Sequence, residues 1–425
     1  MLAGIAALPV CAAAGYLTYQ KLTDPHLLTY QGYGSTSGGA AWSPDGTRIA
    51  SAGWQNGGIV QIWNATTGQT LQTCRTEQLI DGVYPLDIIW SADGTSVLAF
   101  VGWDSTVSLT PGDHIVEMVQ IWNATTGQRI RSIPVMEPVT VNTTSSGPNQ
   151  PLIERWALNE RYLATAKSLQ HTANQQGRTT LEIWNIATGN KIATLDAGNP
   201  GSASQVRSLA WSPDNEKLAI YWNIQDSANG QFFQVIDIWN IATGNKIATL
   251  DAWRQGPISN IANMVWSPDN ERLALLIESA DAMSYEVWNA PAGKRMQTFK
   301  PAGPNVYPII TWSPDGRYIA TRTEVYDIQT GKRITTYPLQ GMLESLAWSP
   351  DGSRVALIDA VKAGVGFSSI SRTLSILDAL SGRSIARYSG RGLFGNVGTN
   401  GKPVWSPNGK YVMVAGQNFD IWKGE

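Results

Sequence analysis

Trp42-Ser43-Pro44-Asp45-Gly46-Thr47-Arg48-Ile49-Ala50-Ser51, followed by Val60-Gln61-Ile62-Trp63-Asn64-Ala65-Thr66-Thr67-Gly68, is one unit of a pattern that the chain writes eight times. Its first phrase, a tryptophan before a polar turn, stands at Trp42, Trp90, Trp156, Trp211, Trp266, Trp312, Trp348 and Trp405. The second phrase ends a short apolar strand at Trp63, Trp122, Trp184, Trp239, Trp288, Tyr326, Leu377 and Trp422, and the two alternate strictly. Units of roughly fifty residues, built of strand-like segments and turn residues, predict a radial β-repeat and argue against a catalytic α/β domain.

The spacing narrows this further. From each first-phrase Trp, the next strand residue lies seven positions on, at Ile49, Val97, Leu163, Leu218, Leu273, Ile319, Val355 and Val412. From the second-phrase residue to the turn glycine is five positions, at Gly68, Gly127, Gly189, Gly244, Gly293, Gly331 and Gly382. Pro presets a turn angle, Asp or Asn bonds its own backbone, and Gly takes the left-handed conformation without a steric cost, so both connections read as tight hairpins. Four strands per unit follow, a to d, each β-branched and alternating, as in Lys191-Ile192-Ala193-Thr194-Leu195. The b-to-c and d-to-a connections vary widely, with long insertions at Trp103 to Val116 and Pro134 to Gln150.

The Trp-Ser-Pro-Asp-Gly turns and the Ile-Trp-Asn-Ala-Thr-Thr-Gly segments resemble the WD-repeat (WD40) β-propeller family, in a divergent, bacterial-type form, from about His26 to Glu425. The resemblance implies an all-β, eight-bladed propeller of four-stranded antiparallel blades. The eighth unit ends at Phe419-Asp420-Ile421-Trp422 without a strand d, and His26-Leu27-Leu28-Thr29-Tyr30 has the character of the missing one. Its pairing beside the last strand c would close the ring and remove an exposed edge. The chain departs from the family in polar reinforcement. None of the three histidines, His26, His114 and His171, follows a glycine ahead of strand a, and most units carry Asn where Asp327 and Asp378 keep the name-giving acid. Ile183 to Ala197 repeats identically as Ile238 to Ala252, which points to recent blade duplication and away from a finely tuned active site.

Charged residues are 15% of the chain, against about a quarter in ordinary proteins, and the net charge is −2 without any basic run. Nucleic acid is therefore not an expected partner. Met1 to Tyr19 carries no charged side chain. We expect residues 1–22 to be a transmembrane anchor or signal segment, read as one apolar helix, and residues 23–425 to be the propeller. Membrane attachment with the propeller outside the cytoplasm is the leading expectation. The alternatives are a secreted form cleaved after Ala12-Ala13-Ala14, a lipoprotein at Cys11 whose preceding Val10 is too large for a lipobox, and a fragment of a longer protein. Cys11 and Cys74 are not placed to pair, and Cys74 reads as a buried small hydrophobe.

No catalytic, metal or cofactor motif is present, and no cofactor is expected. Carboxylates such as Asp104, Asp113, Asp226 and Glu324 are the candidates for hydrolase or lyase chemistry at a channel mouth, against the plainer reading of solvated loop charges. In a propeller the a–b and c–d turns share one face, and every variable connection lands on the other, where recognition by loops on a rigid scaffold is expected. The aromatic and cationic residues there are Trp54, Trp103, His114, His171, Trp222, Trp253, Arg254, Phe367, Arg391 and Phe394, types enriched in binding hot spots. Trp54 and Trp222 extend their strands b and have a second reading as blade caps. The expected function is a non-enzymatic, monomeric scaffold that binds a protein or peptide through this face. An extracytoplasmic small-ligand or carbohydrate-binding sensor is the alternative.

Overall fold

The computed structural model describes residues 26–30, 37–53, 58–76, 83–103, 114–115, 118–135, 139–140, 153–169, 178–195, 203–225, 230, 232–250, 260–278, 283–300, 309–321, 323–339, 341–362, 370–389, 402–415 and 419–424. These form eight four-stranded antiparallel blades. Blade 1 is Ser37–Trp42, Arg48–Gly53, Ile59–Asn64 and Thr70–Arg75, and the same a-b-c-d order recurs through blade 7. Blade 8 takes Pro403–Trp405, Tyr411–Ala415 and Phe419–Lys423 from the end of the chain and His26–Tyr30 from its start.

The turn chemistry explains why each hairpin forms. In the first a–b turn Gly46 N donates to Ser43 O at 2.8 Å, and Ser43 Oγ donates to Asp45 Oδ1 at 2.5 Å. The same carboxylate accepts from Thr47 N at 2.9 Å, while Arg48 N donates to Ser43 Oγ at 2.9 Å. The Ser43 hydroxyl is fully buried, so the turn satisfies its own polar groups. The last turn residue sits at positive φ, 67° at Gly46, and Asn215 and Asn270 adopt 61° and 64° at the equivalent place. In the c–d turn Asn64 Oδ1 accepts from Thr66 N and Thr67 N at 2.9 and 2.8 Å. Asp327 and Asp378 make the same bonds to Thr330 and Ser381, so Asn and Asp are interchangeable there.

Blade 3 departs from the constant spacing. Its strand a pairs Leu158 with Leu163, whereas blade 1 pairs Trp42 with Ile49. Leu158 therefore takes the tryptophan position, the turn through Asn159 is two residues shorter, and Trp156 lies two residues early, stacked on Phe100 of blade 2 at 4.8 Å. The seven-residue interval from Trp156 to Leu163 is a coincidence of count.

The blades pack face to face, with one apolar cluster at each joint between neighbours. A bulge near the start of every strand d works against further pairing of the outer strands, as at Leu71 between the pairs Trp63–Thr70 and Ile62–Gln72 and at Ile247 between Trp239–Lys246 and Ile238–Ala248. The closing strand follows the expected pattern, with Tyr30 opposite Phe419 and Thr29 opposite Asp420. Tyr30 is 5% exposed, stacks on Trp63 of blade 1 at 4.3 Å, and shares hydrogen bonds with Gln61 at 3.0 Å and Thr70 at 2.8 Å. The expected N-terminal helix lies outside the described residues, and among these no helix is long and apolar enough to cross a membrane.

Loss of the closing strand exposes the edge of Phe419–Lys423 and one side of Trp63. We expect deletion of residues 24–34 to abolish a single cooperative melt, and Tyr30→Ala to cost about 3 to 5 kcal/mol in denaturant unfolding, the range for removing a buried aromatic. A Tyr30→Ala chain as stable as the parent would refute the closure.

Candidate interaction face

The two faces of the ring differ in what their polar groups are doing. On the turn face, backbone bonds stitch each c–d turn to the a–b turn of the same blade. They run from Ala65 N to Thr47 O at 3.0 Å in blade 1, through Ile186 N to Arg161 O at 2.9 Å in blade 3, to Gly424 N and Lys410 O at 2.8 Å in blade 8. The charges are paired as well. Asp93 is held down to about 2 by bonds from the Ser91 hydroxyl and from Thr95. Asp378 is likewise held below the ordinary carboxylate range by the Ser381 hydroxyl and amide. A cleft of about 490 Å³ between blades 5 and 6 is lined by Arg272, Met296, Asp315 and Arg317 among others. Its two guanidinium groups are already taken, Arg272 by Asp269 and the Gly316 carbonyl, Arg317 by Asp327 at 2.9 Å.

The opposite face is uneven. Hairpins b–c of blades 4 and 7 have nine-residue strands, Lys217–Gln225 with Phe232–Asn240 and Arg354–Lys362 with Ile370–Asp378. In blade 6 the same strands are four residues each, Tyr318–Thr321 and Glu324–Asp327. At about 3.4 Å per residue the longer hairpins project roughly 17 Å further, so blade 6 is a low gap between two posts. Over blade 2 the two long insertions meet, His114–Ile115 pairing antiparallel with Val139–Thr140. At the base of the blade 7 hairpin Arg372 Nε donates to Glu344 Oε2 at 2.7 Å. Arg372, Glu344 and the exposed Arg207 belong to this face and escaped the motif reading, because nothing in their local sequence distinguishes them from solvated strand residues.

Of the ten residues singled out from sequence, Trp222 is the one whose side chain is described, and it is fully buried. It packs with Leu218, Ile220 and Ile224 on the side of strand b that faces blade 3, while Ala219 and Tyr221 face blade 5. A central strand sandwiched between two blades hides both its faces, so Trp222 is core and leaves the binding set. Trp103 ends strand b of blade 2, and His114 sits in the paired insertion. Trp54, His171, Trp253, Arg254, Phe367, Arg391 and Phe394 lie outside the described residues.

Glu324, a candidate acid, has a structural partner set: it is 2% exposed and receives Arg333 Nη1 at 2.6 Å and the Tyr326 hydroxyl at 2.7 Å. Similar pairs recur two residues before the strand c aromatic, Lys191 with Glu182 at 2.9 Å, Lys246 with Asp237 at 3.4 Å and Arg295 with Glu286 at 2.9 Å. These carboxylates tie strand c to strand d and are not free for catalysis. Asp104, Asp113 and Asp226 lie outside the described residues. Cys74 is buried as expected, and burial pushes its thiol up to about 12, so it is chemically quiet.

Comparison with known proteins agrees with this geometry. The family model "WD domain, G-beta repeat" matches residues 26–64, the closing strand and most of blade 1. The crystal structure of the C-terminal WD40 domain of Sif2 superposes with a TM-score of 0.59 over 94% of this chain and 97% of that one, at 14% identity, a likeness of fold. Curated relatives include THO complex subunit 3 of Arabidopsis thaliana, 24% identical over 36% of this chain and 46% of its own length. WD repeat-containing protein slp1 of Schizosaccharomyces pombe is 23% identical over 51% of this chain and 36% of its own. The alignments thus span less than half the length of these relatives. A WD-repeat propeller is supported; the bacterial-type qualifier is not, since these relatives are eukaryotic.

The turn carboxylates set a pH limit. On unfolding, Asp93 and Asp378 return to the ordinary carboxylate value near 4, so the unfolded chain takes up protons first as pH falls. Their contribution is fully present above about pH 4 and is lost as pH drops toward 2. We expect the melting temperature to fall across that window, and an Asp93→Asn, Asp378→Asn chain to lose less of it while keeping its neutral-pH stability, because Asn408 and Asn64 already fill these positions elsewhere in the ring. An unchanged acid limb would refute the assignment.

Proposed function

We propose that this protein is a non-enzymatic WD-repeat propeller that binds a protein or peptide partner through the face bearing the projecting hairpins and the paired blade 2 insertions. The observation that carries this reading is the contrast between faces: the turn face consumes its polar groups in its own stitching, whereas the other presents raised and recessed elements of differing height on a closed ring. The name of one relative, THO complex subunit 3, is that of a component of a protein complex, which supports a binding role. Glu324, the candidate acid that lies among the described residues, is spent on holding strands together.

Full-length chain used as bait, beside a chain with Trp103, Trp253 and Arg254 changed to Ala, tests the face. We expect a partner captured by the parent and reduced about tenfold or more with a variant that melts like the parent, as for hot-spot loss. Equal capture by both would remove this face from the proposal. A parent that retains no protein while binding a sugar or small ligand would favour a sensor.

Our proposal includes an anchor within residues 1–22 and a propeller outside the cytoplasm, from the uncharged run Met1 to Tyr19. An alkaline wash of membranes carrying the full chain is expected to leave it in the pellet, with the propeller open to external protease. Release into the wash overturns the anchor, and protection from protease overturns the orientation.

A further inference from the structure

The hub of the ring is held by a repeated bond. The indole Nε1 of the strand a tryptophan donates to the backbone carbonyl one residue before the equivalent position of the preceding blade. The distances are 3.1 Å from Trp42 to Val404 O, 3.0 Å from Trp90 to Ala41 O and 2.9 Å from Trp211 to Ala157 O. They are 2.9 Å from Trp266 to Ala210 O, 3.0 Å from Trp312 to Val265 O and 3.1 Å from Trp405 to Ala347 O. Two joints lack it among the described residues. At the joint of blades 2 and 3 the position is Leu158, which has no N–H to give. At the joint of blades 6 and 7 the Trp348 ring is in place, but its buried Nε1 has no partner.

Among the described residues, a second layer of contacts is absent at these two joints as well, and at the joint of blades 4 and 5, where the Trp266 bond is kept and Lys217 reaches Glu271 at 3.9 Å instead. The first residue of strand b covers the next blade's tryptophan: Arg48 lies 4.8 Å from Trp90, Arg272 4.8 Å from Trp312 and Arg354 5.2 Å from Trp405. Tyr162 stacks on Trp211 at 5.7 Å and Tyr411 on Trp42 at 6.5 Å. The three arginines also reach the carbonyls of Gly94, Gly316 and Gly409 at 2.9, 2.8 and 3.1 Å. Blade 2 has Ser96 at this position, too short to cross, and the Tyr318 ring of blade 6 is covered by Arg317 of its own blade at 5.0 Å. What these joints keep is apolar packing, including the Trp156 ring on Phe100 at 4.8 Å, together with bonds from outer strands and turns. Arg131 donates to Ala187 O at 2.5 Å and Ala92 N to Glu160 at 2.8 Å across the first, and the Tyr337 hydroxyl to Ala379 O at 2.8 Å across the second.

The position of the two joints matters more than their number. A closed ring with one soft joint cannot bend, because every other joint must move with it. Two soft joints on opposite sides define an axis. In a ring of eight, the 2/3 and 6/7 joints are four blades apart and therefore opposed. We propose that the propeller consists of two four-blade lobes, blades 3 to 6 and blades 7, 8, 1 and 2, which hinge about the diameter through these joints. Each lobe is braced internally: blades 3 and 4 share the parallel pairing of Arg178 with Ser204, and blades 8 and 1 share the Tyr30 stack on Trp63. The raised hairpins of blades 4 and 7 stand on opposite lobes, so hinging changes their separation across the low blade 6. This makes the axis a device for opening or closing a binding face.

Pulsed electron resonance on the full chain, with Cys11 and Cys74 changed to Ala, reads the hinge. Nitroxide pairs on exposed c–d turns are all set three blades apart: Ala187 with Gln329 and Leu380 with Thr125 within lobes, Thr66 with Ala242 and Ala242 with Leu380 across the joints. We expect distance distributions at least twofold wider for both pairs that cross a joint, in proteins that melt like the parent. Equal widths in all four pairs would overturn the hinge. Trp266→Phe, which cuts an intact bond inside a lobe, is expected to widen the Ala187–Gln329 distribution, whereas Trp348→Phe is expected to leave the Ala242–Leu380 width unchanged. Equal widening by the two substitutions would show that the 6/7 joint is latched after all.

Discussion

Six of the eight blades lean on the one before them through the tryptophan that ends strand a. Its ring fills the apolar joint, and its N–H reaches a backbone carbonyl of the neighbouring blade, so packing and hydrogen bonding act at the same spot. A four-stranded blade cannot bury both faces alone, and stacking neighbours around a circle solves this only if the circle closes. The remainder of the architecture serves that requirement. Short turns set the tryptophan at the right height, bulged outer strands discourage further pairing, and the first described strand completes the last blade.

The carboxylates illustrate how the same scaffold employs its buried charges. In WD-repeat proteins a reader expects polar reinforcement from a histidine and an aspartate, and here that set is missing. In its place, blades 3 to 6 use a shielded acid on strand c and a cation on strand d, and in blade 8 His26 meets Asp420 at 3.2 Å across the closing seam. Glu324, which looks catalytic as an isolated letter, is thus consumed in joining strands. The relief of the hairpin face arises from strand lengths that differ between blades.

The candidate site was legible in part. That the variable connections share one face followed from counting residues between turns, and the long blade 4 and blade 7 hairpins and the paired insertion of blade 2 lie where that count puts them. Trp222 was misplaced because an aromatic at the end of a strand looks the same whether the strand is central or edge. Its parity with Leu218 and Ile220 was a signal of burial available from the chain alone. Arg207, Glu344 and Arg372 carried no such signal, since exposure on the face depends on strand register.

The amino-acid sequence by itself determined the blade count, the strand order, the two tight turns and the closing strand. These depend on residues close in the chain: a proline angle, a serine hydroxyl, an Asn or Asp side chain and a residue able to hold positive φ. The tertiary structure alone decided which tryptophan stands where. Trp156 keeps its spacing yet yields its place to Leu158, and Trp348 keeps its place yet lacks an acceptor. Both outcomes depend on how two blades distant in sequence are set against each other, an alignment of an indole N–H with a carbonyl that no local pattern of residues encodes.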